Sequence, residues 1–113
     1  MGGLSLTGKR VLVTGGRDNY DFILIYRAVR DNLQEGEVLV HGAANGTDLI
    51  AARSAQYLGV ETEPQPAAGP IRNERMLSLG VDLALIFSGG KGTKDMESRL
   101  VKAEIPCLYY PSS

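Results

Sequence analysis

Arg10-Val11-Leu12-Val13-Thr14-Gly15-Gly16 is a short β-branched apolar run stopped by a glycine pair, which reads as a buried strand entering a tight turn. The pattern returns in Asp82-Leu83-Ala84-Leu85-Ile86-Phe87, the most apolar run of the chain, which stops at Ser88-Gly89-Gly90-Lys91-Gly92. Val38-Leu39-Val40 ends at His41-Gly42, Val60 to Thr62 is a third strand in chain order, and Pro106 to Tyr110 is the last. Helical patterns separate these runs. Phe22, Ile25, Tyr26, Val29 and Leu33 recur at helical spacing behind Asp21 as N-cap. Ala51, Ala52, Ala55 and Leu58 follow a cap at Thr47 or Asp48 and are closed by Gly59. Ile71 to Leu79 ends at Gly80, and Met96, Leu100 and Ala103 follow a cap at Thr93 or Asp95. Pro64 to Pro70, with three prolines and a glycine, reads as a loop, and Pro111-Ser112-Ser113 as a loose tail.

Strand alternating with helix, without a hairpin dipeptide between strands, predicts an α/β protein whose parallel sheet is covered on both faces. The chain has room for about five strands, and right-handed crossovers in the doubly wound arrangement place the first and fourth side by side. A length of 113 residues, 43% hydrophobic and 22% charged, predicts one domain over residues 1–113.

Twelve Lys and Arg against thirteen Asp and Glu give a net charge of −1, which argues against nucleic acid and an anionic membrane surface as partners. Leu79 to Ser88 is about half of the roughly 20 residues a spanning helix needs and is interrupted by Asp82. Met1 to Thr7 carries no basic stretch and no apolar run of signal-peptide length, so a cytoplasmic location is expected. The single cysteine, Cys107, has Ile105, Leu108 and Tyr109 as neighbours and reads as an inert, buried strand position.

The fourteen glycines gather where apolar runs end. In an open parallel sheet ligands bind beyond the carboxyl ends of the strands at the switch point. There the first and fourth strands deliver Thr14-Gly15-Gly16-Arg17 and Ser88-Gly89-Gly90-Lys91-Gly92-Thr93. Glycine admits a ligand close to the backbone, and a helix N-terminus behind the loop offers unpaired N–H groups that suit phosphate. Arg17 and Lys91 add formal positive charge, with a plain surface position as their alternative. Each glycine pair alone is also an ordinary strand-to-helix turn. Two of them at one switch point, beside His41-Gly42-Ala43-Ala44-Asn45-Gly46-Thr47-Asp48, favour a ligand crevice. Neither loop has Walker A spacing, and GxGxxG is absent.

Val13-Thr14-Gly15-Gly16-Arg17, then His41 to Asp48, then Ala68-Gly69-Pro70-Ile71-Arg72-Asn73-Glu74-Arg75-Met76-Leu77, then Gly89-Gly90-Lys91-Gly92-Thr93-Lys94-Asp95-Met96 resemble, in this order, the small YspA/YpsA-related branch of the SLOG superfamily. The match runs from about Lys9 to Tyr109. The superfamily takes its name from proteins similar to the cytokinin-activating LOG enzymes, the DNA-processing protein DprA and the Smf proteins, and the branch is frequent in bacteria and phages. The resemblance implies a Rossmann-like three-layer fold that binds or senses a nucleoside phosphate or ADP-ribose type of ligand. Its ligand-binding residues would be Thr14, Gly15, Gly16 and Arg17, His41 and Gly42, Arg72 and Asn73, and Gly89, Gly90, Lys91, Gly92 and Thr93.

LOG enzymes hydrolyse the N-glycosidic bond of a nucleoside 5′-monophosphate, so a phosphoribohydrolase is the alternative function, and an interaction module with a vestigial site a further one. Their Arg-Lys-x-x-Met segment falls on Arg72, with Asn73 in place of the lysine and Met76 matching the methionine. Their Pro-Gly-Gly-x-Gly-Thr-x-x-Glu segment falls on Ser88 to Met96, with Ser88 for the proline and Met96 for the glutamate. Methionine cannot supply the carboxylate that an oxocarbenium-like state calls for. The catalytic candidates are then Asp95 or Asp48, with Arg72 holding phosphate. LOG relatives are dimeric, so the resemblance implies a homo-oligomer, as a dimer. No cofactor and no metal site is expected, since one His and one Cys are too few for zinc and Asp18, Asp21 and Asp95 have no metal spacing.

Several of these residues also have plain structural readings. Arg72 can form a salt bridge to Glu74 or Asp95, Asn73 can cap a helix, and Thr93 can cap one while touching phosphate. A lone His at a strand end is more often structural, and in the functional reading His41 orients a ligand or Asp48. Tyr20, Tyr26, Tyr109 and Tyr110 are not interleaved with a basic run, which favours packing over base stacking. The Pro64 to Ala68 stretch is short for the branch and lacks the aromatic residue often carried there, which leaves that side of the pocket open.

Overall fold

Five strands, β1 (Arg10–Thr14), β2 (Val38–His41), β3 (Glu61–Pro64), β4 (Leu83–Phe87) and β5 (Cys107–Tyr110), alternate with α1 (Phe22–Asn32), α2 (Thr47–Tyr57), α3 (Gly69–Ser78) and α4 (Lys91–Lys102). This computed structural model describes residues 8–65 and 69–111, with the backbone alone at 69, 70 and 72. The readings placed on 1–7, on 66–68 and on 112–113 lie outside the described residues.

Every strand pair is parallel and the order is β3-β2-β1-β4-β5, so the chain is α/β and Rossmann-like. β1 and β4 are neighbours as expected, and Thr14 pairs with Ile86, which brings the two glycine loops out side by side. Alternation along the strands supplies both layers of core. Val11, Val13, Leu85 and Phe87 pack with Ile25, Val29, Ala51 and Ala55 on the α1 and α2 side. Leu12, Ala84 and Ile86 pack with Met76, Met96 and Leu100 on the α3 and α4 side. Each fully buried Leu or Val in these layers is worth about 1.5–3 kcal/mol. Among the described residues no helix is long and apolar enough to cross a membrane.

The helix starts depart from expectation. Asp21 caps α1, accepting from Leu24 N at 3.4 Å. The N-caps of α2 and α4, however, are Gly46 and Gly90, without a side-chain capping bond. Thr47, Asp48, Thr93 and Asp95 all lie inside their helices, and three of the side chains are engaged elsewhere: Thr47 with Gly16 O, Asp48 with Gly42 N and Ala44 N, Asp95 with Asn73 and Arg99. The Pro64 to Pro70 loop is shorter than expected. Pro64 ends edge strand β3, where a missing N–H is tolerated, and Gly69 and Pro70 open α3, where proline fits the first turn. β3 starts at Glu61, one residue later than expected. Cys107 is half-buried, its thiol donating to Ile105 O at 3.3 Å, and burial pushes its pKa up, which keeps it protonated near neutral pH.

Candidate functional site

A cleft of about 720 Å³ opens beyond the carboxyl ends of β1 and β4. The backbone of Gly16 lines it and ties its walls together. The Gly16 N–H donates to Ser88 O at 2.9 Å, and Gly16 O accepts from Thr47 N at 3.2 Å, Thr47 Oγ1 at 3.0 Å and Asn19 N at 3.2 Å. The loops after β1 and β4 and the first residue of α2 are thus joined through one residue, by the two peptide groups that flank its Cα. A Cβ on Gly16 would lie 3.0 Å from Ser88 O and 3.1 Å from the Gly89 Cα, and one on Gly89 would overlap Thr93 and the Gly16 nitrogen. The two glycines let the loops touch. Gly90 and Gly92 differ, since a Cβ on either would meet only open space.

Behind the second loop, α4 makes its first helical bond from Lys94 N to Gly90 O at 3.1 Å. The N–H groups of Lys91, Gly92 and Thr93 precede that bond and lie at the positive end of the helix dipole, in the lining of the cleft. Arg17 and Lys91 also line it, exposed and without an ion pair among the described residues. Two carboxylates, Asp18 and Asp48, share the same walls.

Asp48 shapes the turn after β2. Its carboxylate accepts from Gly42 N at 3.0 Å and Ala44 N at 3.3 Å, while His41 Nδ1 accepts from Ala43 N at 3.0 Å. These three bonds hold Ala43 at φ +59°, a left-handed conformation that an alanine adopts only under constraint. His41 is buried, and burial lowers its pKa, so the ring is neutral near pH 7 and its Nδ1 is free of a proton for Ala43.

Of the residues singled out in the sequence, Thr14, Gly15, Gly16, Arg17, Asp48, Gly89, Gly90, Lys91, Gly92 and Thr93 come together around the cleft. His41 and Gly42 stand behind it, supporting the turn. Asn73 is 3% exposed and donates to Asp95 Oδ2 at 2.8 Å and Gly92 O at 3.3 Å, which fixes α3 against the first turn of α4. Asp95 accepts from Asn73 and from Arg99 Nε at 2.8 Å, contacts that pull its pKa down, and it does not line the cleft. Arg72 lies on α3 one residue before Asn73, and its side chain is outside the described part. Met96, at the position of the LOG glutamate, is fully buried in the core.

The sequence reading passed over Asp18, Asn19, Tyr20, Ala44 and Ser88 as site residues, all of which line the cleft. Asn19 had a visible signal, an Asx residue two before the helix cap. Its Oδ1 accepts from Asp21 N at 3.1 Å and its Nδ2 donates to Ser88 O at 3.3 Å. Among the described residues no group of three or more His, Cys, Asp or Glu stands together to hold a metal ion.

A parallel α/β sheet with a glycine-built cleft at its switch point defines the class, and the comparisons with known proteins give the family. The chain belongs to the YspA, cpYpsA-related SLOG family, whose model matches residues 9–68. It is also similar to the Gene 61 protein of Mycobacterium phage D29, 33% identical over 120 residues that cover 90% of this chain and 96% of that protein. No solved structure matches it.

Proposed function

We propose that the cleft binds a nucleotide-derived ligand, of the nucleoside phosphate or ADP-ribose type, and that the protein acts as a binder or sensor of it. The observation that carries this reading is the open first turn of α4. Three N–H groups without a partner among the described residues, two uncrowded glycines and the cations Arg17 and Lys91 line one water-accessible cleft, an arrangement complementary to phosphate. Membership of the SLOG family supports a nucleotide-related ligand. Asp48 is the carboxylate that a second reading, N-glycosidic hydrolysis, would use, because it lines the cleft whereas Asp95 is tied to α3 and Arg99.

The test is a thermal-shift series with nucleoside mono-, di- and triphosphates, NAD and ADP-ribose on wild type, Arg72→Ala and Gly92→Ala. A ligand at a hundred times its Kd adds about 2.7 kcal/mol, which in a domain of this size raises Tm by about 10 °C. Gly92→Ala places a methyl group in open space at the helix start, so its own Tm is unchanged or slightly raised while the ligand shift is lost. No shift with any compound would sink the reading. Free base appearing with wild type, and absent with Asp48→Ala, would make the protein a hydrolase.

A further inference from the structure

A second cavity of about 490 Å³ lies between α1 and α2 and shares one lining residue with the first, Tyr20. The two cavities differ in chemistry. The cleft is built from backbone and charged groups, whereas the groove is aromatic. Tyr20 and Phe22 form a tilted pair with centroids 6.4 Å apart, and Tyr26 and Tyr57 an edge-on pair at 6.2 Å. Tyr20, Phe22 and Tyr57 are 55, 62 and 82% exposed, so these rings present faces to solvent, contrary to the packing role read for Tyr20 from the sequence.

Two polar groups mark the groove. Arg53 makes no ion pair and the Asn45 side-chain amide no hydrogen bond among the described residues, and both line it. An amide carries a donor and an acceptor side by side, the pattern that matches the edge of a nucleobase, and a guanidinium stacks on a planar ring. Either cavity alone is within the range of about 300–1,000 Å³ of a small-molecule site. Together they offer more room than a phosphate and a sugar require.

We propose that the groove between α1 and α2 is the base-recognition half of the same site, holding the nucleobase of a nucleotide whose phosphates lie on the α4 N-terminus, with Tyr20 between the two halves. Continuity of the two cavities through Tyr20 selects this occupant over a protein partner. The inference rests on the phosphate reading of the cleft.

The experiment is isothermal titration of ADP, GDP, CDP and UDP, with inorganic pyrophosphate as the baseless probe, on wild type, Tyr57→Ala, Phe22→Ala and Gly92→Ala. Stacking on an aromatic side chain is lost with alanine, so Tyr57→Ala or Phe22→Ala weakens the preferred nucleoside diphosphate about tenfold or more and leaves pyrophosphate affinity unchanged. Gly92→Ala weakens both. Both aromatic residues are more than half exposed, so the variants keep their fold, which a melting curve verifies. Nucleotide affinity unchanged in both aromatic variants overturns the groove while leaving the cleft standing. Nucleotide affinity unchanged with self-association lost on sedimentation also overturns it, and assigns the groove to a second copy of the chain. Wild type that binds neither probe overturns the cleft reading and the groove with it.

Discussion

Gly16 shows why single residues in this site have structural rather than purely chemical reasons for their identity. Its carbonyl takes three donors and its N–H joins the β4 loop, so both backbone polar groups of Gly16 are engaged in holding the cleft walls together. The sequence marked the glycine pairs as one kind of feature. The structure divides the loop glycines into those packed against a neighbouring segment, Gly15, Gly16 and Gly89, and those facing open space, Gly90 and Gly92. Such a division depends on distances across the sheet, which no local pattern encodes. His41 is the other case. Its folded pKa is lowered by burial from the ordinary 6.5, so the unfolded chain binds a proton more readily than the folded one. The contribution is therefore fully present above about pH 6.5 and is lost as pH falls from there toward the folded value. Wild-type Tm is expected to fall between pH 7.5 and 5.5, and His41→Asn, whose Oδ1 can replace the Nδ1 acceptor for Ala43, to fall less over the same window. Glu63 and Asp95, with pKa values lowered from 4.5 and 3.8, lose their contributions only at more acid pH, outside this window. Parallel Tm profiles of the two proteins would remove the assignment.

At the scale of elements, α4 was legible as a helix from Met96 and Leu100 and misread at its start. Thr93 and Asp95 have the right chemistry for a cap, but Thr93 packs beneath Gly89 and Asp95 is bound by Asn73 and Arg99, so the helix extends back to Gly90. Local capping preference lost to a contact from α3, remote in sequence, and to the neighbours Gly89 and Arg99, each four residues away. The same bonds make Asn73 a positioning residue for the open turn: its amide holds Gly92 O and the Asp95 carboxylate at once. Removing it in Asn73→Ala leaves Gly92 O without that donor and Asp95 with Arg99 alone. Tm is expected to fall by about 5 °C, and the Asp95 pKa, measured by NMR titration, to rise toward 3.8 because its largest stabilising contact is gone. Phosphate affinity should fall with it, since the first turn of α4 loses its anchor to α3. An unshifted Asp95 titration would show that the Asn73 bond does not form in solution.

For the whole molecule, the alternation of strand and helix was enough to give a parallel sheet with β1 beside β4, because buried strands that end in glycine loops and return through helices leave few topologies. What that reading could not give was how the loops after β1 and β4 meet to form the cleft, or the aromatic groove beside it, which is set by how α1 and α2 pack together and not by any one stretch. The fold also separates its stabilising parts from its candidate binding parts. The two cores lie on the faces of the sheet, and the cleft lies beyond the strand ends. Leu100 is fully buried against Leu12 and Met96 in the α3 and α4 layer, eight residues and about 12 Å along α4 from Gly92. Leu100→Ala is expected to cost about 2–5 kcal/mol and to lower Tm by about 10 °C or more. Sites that far apart without shared partners contribute independently, so nucleotide affinity measured well below that Tm should match wild type. Gly92→Ala should do the reverse, keeping Tm and losing affinity. If Leu100→Ala lowered affinity in proportion to stability, the first turn of α4 would depend on the packing of its far end, and the cleft would be one cooperative unit with the core.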